Sequence, residues 1–463
     1  MKKSLLPHLL IVFAAAIICF SWSELLMAVP VKLTEQQDIS LSDDGNGSPF
    51  EQENKDIPKP NRDRNQIVCI SDIHLGIDTT YAECKNNRET LIKFLEQVGS
   101  SSKVKELVIA GDFLDEWYIP ANVETFNGKS QRDFVKTIAD INKSVIAALN
   151  AIIKERKVKV TYMPGNHDLL ISSEDIQSIL PGIAQVRDVK GLGAYSPVNH
   201  PEIIIEHGHR YNFFCAPDPF SNQSIAPGSI LPPGYFFTRI AALSVEERKL
   251  KPKGSLLMVI PESQQLMYKY WYQWNKLMFG FPIKEGFNEK IIKTNIDGYK
   301  ANYSINDLMP FQLENGVIDV MLFKGIEKRW PERQLRNKVA VPIPALRAIS
   351  RAESVEESDE QASVQYFLNP RSNKRVVVFG HTHEAKIIPS KNHKGQKTIY
   401  ANSGTWIDSK IDKNSISIMT FVVITPKKRG AAQEFVDLYR YWPNGKITRL
   451  ANDSLTNVNK QAF

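Results

Sequence analysis

Five short apolar runs in this chain each end in a cluster of histidine, aspartate or asparagine. That repetition limits the possible folds more than any other feature. Ile67 to Ile70, within IVCISDIHLG, leads into Asp72 and His74. Leu107 to Ala110 leads into Gly111-Asp112, and Val158 to Met163 into Pro164-Gly165-Asn166-His167-Asp168. Ile203 to Ile205 runs into Glu206-His207-Gly208-His209, and Val376 to Phe379 into Gly380-His381-Thr382-His383. Runs this short, β-branched and bounded by polar residues or glycine, read as buried strands. Helical patterns at about 84–97 and 132–155 fall between them. Strand, polar cluster and helix alternate, which predicts an α/β sheet with its site at the strands' C-terminal ends.

The clusters have the chemistry of a metal site. Side chains two apart on an extended chain point the same way, so Asp72 and His74 can aim at one place, as can His381 and His383. A carboxylate converging with an imidazole suits a divalent metal. One D-x-H is weak evidence; five such clusters, each closing an apolar run, are specific. Gly111 permits close backbone approach beside Asp112.

The rest of the chain bounds its setting. With 463 residues, 42% apolar and 24% charged, it can hold one large domain with insertions or two domains. A formal charge of +7 favours anionic ligands or surfaces, but no basic block argues for nucleic acid. Lys2 and Lys3 precede the apolar run Leu9 to Phe20, too short to span a membrane, which fits an export signal or an uncleaved N-terminal anchor over about 1–30. The expected location is therefore periplasmic or otherwise extracytoplasmic, or at the membrane if the segment stays uncleaved as an anchor. Residues 31–65 read as a polar linker. Cys69, Cys84 and Cys215 form neither a disulfide framework nor a zinc ribbon. Between about 210 and 374 lies a long, mainly helical interval. Its aromatic stretch Tyr268 to Phe281 reads either as a lipid-facing or base-stacking wall, or as a cap packed on the core. The tail reads as antiparallel strands at 397–401, 415–424 and 434–441 plus a last short one. They predict a second sheet packed on the first.

D-I-H, G-D, G-N-H-D, H-G-H and G-H-T-H, in that order, resemble the signature of the calcineurin-like metallophosphoesterase superfamily. The resemblance covers about 66–210 and 375–410. It implies a two-sheet αββα sandwich over 66–463, with the interval 210–374 as an insertion. It also implies two divalent metal ions (Mn, Fe or Zn). Asp72, His74, Asp112 and His383 would hold one ion and Asp112, Asn166, His207 and His381 the other, so Asp112 bridges. It implies hydrolysis of a phosphomonoester, phosphodiester or pyrophosphate by a metal-activated hydroxide, with His167 as general acid and Asp168 orienting its ring. For His209, substrate contact, support and solvent exposure stay open.

GDFLDEW at 111–117 and GTWID at 404–408 are similar to bacterial UDP-diacylglucosamine diphosphatases, which makes a lipid-precursor hydrolase the alternative. Those enzymes carry Arg where His167 stands and work at the cytoplasmic membrane face, unlike an exported chain. The protein Ser/Thr phosphatase pattern, GDxxDRG with GNHE, is not matched. A non-catalytic scaffold of the same fold is the second alternative. The aromatic stretch suits an amphiphilic or nucleoside-bearing phosphoester. A reporter fused after Gln66 is expected to be active outside the cytoplasm; activity confined to the cytoplasm would overturn the export reading.

Overall fold

Alternation along the first strand sets the layers. In β1 (Gln66–Ile70), Ile67 and Cys69 face one side and Val68 and Ile70 the other, and all four are buried. A strand covered on both faces needs that unbroken apolar run. The computed structural model describes residues 48–50, 64–77, 81–247, 283–316, 318–352, 354–408, 417–427 and 433–456.

The chain continues through α1 (Arg88–Ser100), β2 (Val104–Ala110), α2 (Gln131–Ile141), α3 (Lys143–Glu155), β3 (Lys159–Met163), α4 (Ser173–Ile179) and β4 (Ala184–Gln185). Strands β1 to β4 pair in parallel, in sequence order. Phe94, Ile138, Leu149 and Ile176 from the four helices share a core with Val68, Ile109 and Tyr162 on one face of that sheet. Then come β5 (Ala194–Tyr195) and β6 (Ile203–Glu206).

The insertion follows. It supplies α5 (Pro233–Glu246), a hairpin of β7 (Ile292–Ile296) and β8 (Tyr299–Tyr303), and a second hairpin of β9 (Pro310–Gln312) and β10 (Ile318–Val320). Helices α6 (Trp330–Arg336), α7 (Ala345–Ser350) and α8 (Val355–Ala362) complete it. The chain re-enters through β11 (Val376–Phe379), β12 (Lys386–Lys391) and β13 (Lys397–Asn402). A second sheet has the order β12-β13-β11-β6-β5. Its inner residues Ile203, Ile205, Val376, Val378 and Ile399 meet Ile67, Cys69, Val108 and Met163 between the sheets. Its outer residues Ile204, Val377, Phe379 and Tyr400 lie under Phe213, Phe214, Phe236, Phe323 and Trp330 of the insertion. The layers are therefore helix, sheet, sheet and insertion, the expected sandwich with the insertion as its fourth layer.

Several expectations need correction. The tail strands β14 (Thr420–Thr425), β15 (Gln433–Tyr441) and β16 (Ile447–Thr456) do not build the second sheet; β14 pairs antiparallel with β1, so they extend the first. The last strand is ten residues long, not short. The pattern at 132–155 is two helices, broken at Asn142. That buried side chain donates to the Ile138 carbonyl at 2.8 Å and the Gly76 carbonyl at 3.0 Å, bending the chain to tie it to the first site loop. The insertion carries two hairpins besides its helices. Phe50, within the expected linker, is buried against Phe94 and Phe421. The N-terminal 1–30 segment and the aromatic stretch 268–281 lie outside the described residues. Among the described residues no helix is long and apolar enough to cross a membrane.

One side chain binds the insertion to the sandwich. Arg239 of α5 is fully buried and donates to the carbonyls of Ile119, Pro120, Ala121, Val123 and Lys293. Arg239→Met leaves those buried acceptors without their donor. A loss on the order of 3 kcal/mol is expected in urea unfolding. Arg239→Lys should recover only part of it, because a point charge cannot replace the planar fork.

Candidate metal centre

The clusters stand where the sheet order brings strand ends together. Asp72, Asp112, Asn166, His207 and His381 each follow within three residues of the end of β1, β2, β3, β6 and β11. Convergence does not come from an extended chain, as i, i+2 spacing suggested. Asp72, His74, Asp112, His381 and His383 all have φ between 50° and 68°. This is the left-handed region, uncommon outside glycine and most tolerated by Asn, Asp and His. The first two loops lock together: Asp72 N–H donates to the Gly111 carbonyl, Ile73 and His74 N–H to Asp112, and Leu75 N–H to Phe113. Glycines let the loops touch. A Cβ on Gly165 would strike the Asp112 carboxylate, and one on Gly380 would strike Ser71 and Asp72.

Four groups of potential ligands result among the described residues, with ligand atoms within 4.8 Å of one another in each: Asp72–His74–His383 and Asp112–His207–His381, and two that share His74, His74–Asp112–His167 and His74–Glu83–Asp115. His383 Nε2 lies 3.2 Å from Asp72 Oδ1 and 3.2 Å from His74 Nε2. Asp112 Oδ2 lies 3.0 Å from His207 Nε2 and 3.7 Å from His74 Nε2, so one oxygen faces both groups. Asn166 Oδ1 joins at 3.1 Å from His207 Nε2. The structure thus brings together all seven residues the sequence singled out as ligands.

Neighbouring groups fix which atoms point inward. The Asp112 Oδ1 accepts the His167 N–H at 2.8 Å, leaving Oδ2 for the centre. The His381 N–H donates to Asp72. The His207 Nδ1 donates to the Ala110 carbonyl at 2.9 Å, and the His74 Nδ1 to Asp115 Oδ2 at 3.0 Å. Each arrangement leaves Nε2 as a lone pair. The Nε2 atoms of buried His74 and of His383, facing each other across 3.2 Å with Asp72 Oδ1 beside the second, fit a shared cation. So do Asp72 and Asp112, buried carboxylates that are costly unless paired or coordinating. The donors are oxygen and nitrogen with no thiolate, which suits Mn, Fe or Zn.

The charges polarise one another. Burial would lower the His207 pKa, but the Asp112 and Asp72 carboxylates outweigh it and raise it to about 9. His381 goes the other way, to about 3, through burial and the nearby His207 charge. Burial works to raise Asp112, yet the surrounding imidazoles, His207 foremost, bring it well below the usual carboxylate range.

Two roles differ from expectation. Asp168 does not orient His167. Its carboxylate accepts the Gly165 N–H at 2.6 Å and the Phe113 N–H at 2.9 Å, clipping the third loop to the second. Burial and the Asp112 charge push its pKa up to about 6. The partner of the His167 ring is Asp115, whose Oδ1 lies 2.9 Å from Nδ1. Asp115 therefore orients both His74 and His167, with one oxygen for each. Sequence reasoning quoted it within GDFLDEW without assigning it. Glu83 was also missed: it lies 3.4 Å from His74 Nδ1, partly exposed. His209 is neither solvent-exposed nor aimed at solvent. It is buried, and its Nε2 donates to the Gly191 carbonyl at 3.0 Å.

A model of the calcineurin-like phosphoesterase family matches residues 66–228. Residues 66–228 thus match a calcineurin-like phosphoesterase domain. The match ends at residue 228, a short way into the insertion, and His381 and His383 reach the same centre from beyond it. No curated protein matches the chain. A solved structure provisionally described as a 5'-nucleotidase from Staphylococcus aureus in complex with alpha-ketoglutarate aligns at 10% identity and a TM-score of 0.28. The alignment covers 86% of this chain and 55% of that one.

Asp115→Asn removes the charge that holds two imidazoles. Manganese affinity measured by calorimetry should fall about 10- to 100-fold, the usual cost of losing a partner behind a metal ligand. Unchanged affinity would show that His74 does not depend on Asp115.

Proposed function

We propose that this phosphoesterase domain hydrolyses a phosphomonoester, phosphodiester or pyrophosphate at a centre for two divalent cations. Asp72, His74, Asp112 and His383 would hold one ion, and Asp112, Asn166, His207 and His381 the other. The observation that carries this reading is the pair of ligand groups joined through Asp112 Oδ2. Two cations held there would neutralise phosphate charge and activate a water for in-line attack.

The chain's own residues do the rest. Asp112 serves both groups because its second oxygen is tied to the His167 N–H and cannot rotate away. His167 has its Nδ1 engaged by Asp115, which leaves Nε2 to carry a proton to the leaving-group oxygen. Burial works to lower the His167 pKa, while Asp115 and Asp112 outweigh it and raise it. That shift favours the protonated imidazole, the form an acid requires. The substrate class that suits the stretch 268–281 is an amphiphilic or nucleoside-bearing phosphoester. No observation favours the lipid-precursor alternative: Trp406 of GTWID is buried against Phe94, and Asp408 accepts the N–H groups of Lys85, Asn86 and Asn87 ahead of α1. The complete ligand set argues against a non-catalytic scaffold.

The test is turnover of aryl and alkyl phosphoesters with added manganese. His167→Ala should keep its metal and lose about 10²–10⁴ in rate on an alkyl ester, far less on an ester whose leaving group needs no proton. Asp112→Asn should lose both metal and turnover. No turnover by the metal-loaded wild-type chain on any ester would refute the proposal.

A further inference from the structure

We propose that Trp117 is a positioning residue for His167, and that the insertion braces it from behind. This rests on the reading of His167 as the proton donor. The Trp117 ring lies over the His167 ring with centroids 4.9 Å apart and planes 28° from parallel. The His74 ring meets His167 edge-on at 4.5 Å. A hydrogen bond from Nδ1 to Asp115 fixes one point of the imidazole, but a ring can still swing about one bond. The indole face removes that freedom.

The main chain of the same loop adds to the grip. Asp115 Oδ1, which holds His167, also accepts the N–H of Trp117 at 2.9 Å and of Tyr118 at 2.8 Å. The Glu116 N–H donates to the His167 carbonyl at 3.1 Å.

Behind the indole stands the insertion. Trp117 is 1% exposed and belongs to the insertion's apolar core rather than to the helical side of the first sheet. Tyr235 of α5 meets it edge-on at 6.1 Å, and the Tyr235 hydroxyl lies 3.0 Å from Thr125 Oγ1 on the loop's far side. Gly234 lets the helix sit this close, since a Cβ there would lie 3.3 Å from Trp117 Cζ3 and 2.7 Å from the Phe214 carbonyl. Arg239, one turn further along α5, holds the carbonyls that follow Trp117. A continuous packed path thus leads from the insertion to the face of the proton donor. Small displacements of a reacting group are expensive in rate, so this bracing bears directly on turnover.

The experiment compares Trp117→Phe, which keeps a ring face, with Trp117→Met, which keeps bulk without one. Both are made in the full chain loaded with manganese. On an alkyl phosphoester, Trp117→Met should lose about 10- to 100-fold in kcat with KM little changed, and Trp117→Phe should recover most of it. On an aryl ester with a good leaving group, both should stay near wild type. An equal loss by Trp117→Met on both esters, with metal retained, would overturn the role of Trp117. If His167→Ala itself lacks leaving-group dependence, the reading of His167 fails instead. A second readout needs neither turnover nor a Trp117 variant. In metal-free wild-type protein, the His167 ring protons, assigned by their absence in His167→Gln, should resonate upfield through the indole ring current. An unshifted signal would overturn the stacking on which the proposal stands.

Discussion

Mutual compensation of charge at the strand ends is the constraint on which the rest depends. Asp72 and Asp112 are carboxylates with almost no exposure, and either alone would be too costly to bury. They are tolerable because the imidazoles of His74, His167, His207 and His383 and the backbone N–H groups of His167 and His381 face them, and because the site has the donors for cations. Everything nearby serves that compensation. Asp168 holds one loop to another, and Asp115 holds two rings. Five candidate ligands accept left-handed backbone angles that most residues avoid. Strain of this kind costs of order 1–3 kcal/mol per residue and persists only where the surroundings over-determine it.

The sandwich is what over-determines it. Parallel β1, β2 and β3 end together on one sheet, while β6 and β11 end together on the other. The two sheets share an inner core, so their loops meet at one edge. Gly111, Gly165 and Gly380 then allow contact closer than any side chain would permit.

The candidate ligands could be picked out in the sequence because each has metal-binding chemistry and each lies in a cluster that closes an apolar run. The orienting role was not. Asp168 is adjacent to His167 in sequence, but neighbours in a tight turn point apart, and the true partner Asp115 lies on another loop. The break at Asn142 was hidden because an asparagine barely disturbs a helical pattern. The fate of the insertion had a signal that went unread. IIIE at 203–206 and VVVF at 376–379 are apolar on both alternations, so both faces of the second sheet must be covered, and only the insertion was left to cover the outer one. The membership of β14 in the first sheet had no such signal, since pairing across the whole chain leaves no local trace.

That long-range pairing has a consequence for how the chain is made. Central strand β1 needs β14 beside it, and the ligands of β1 and β2 need His381 and His383, which emerge only after the entire insertion. At about 5–20 residues per second, a ribosome takes on the order of ten seconds or more to cover that distance. During that interval Asp72 and Asp112 lack His381 and His383, and the insertion lacks Val377, Phe379 and Tyr400 to pack on. The candidate cation site can therefore close only after the whole insertion has been made.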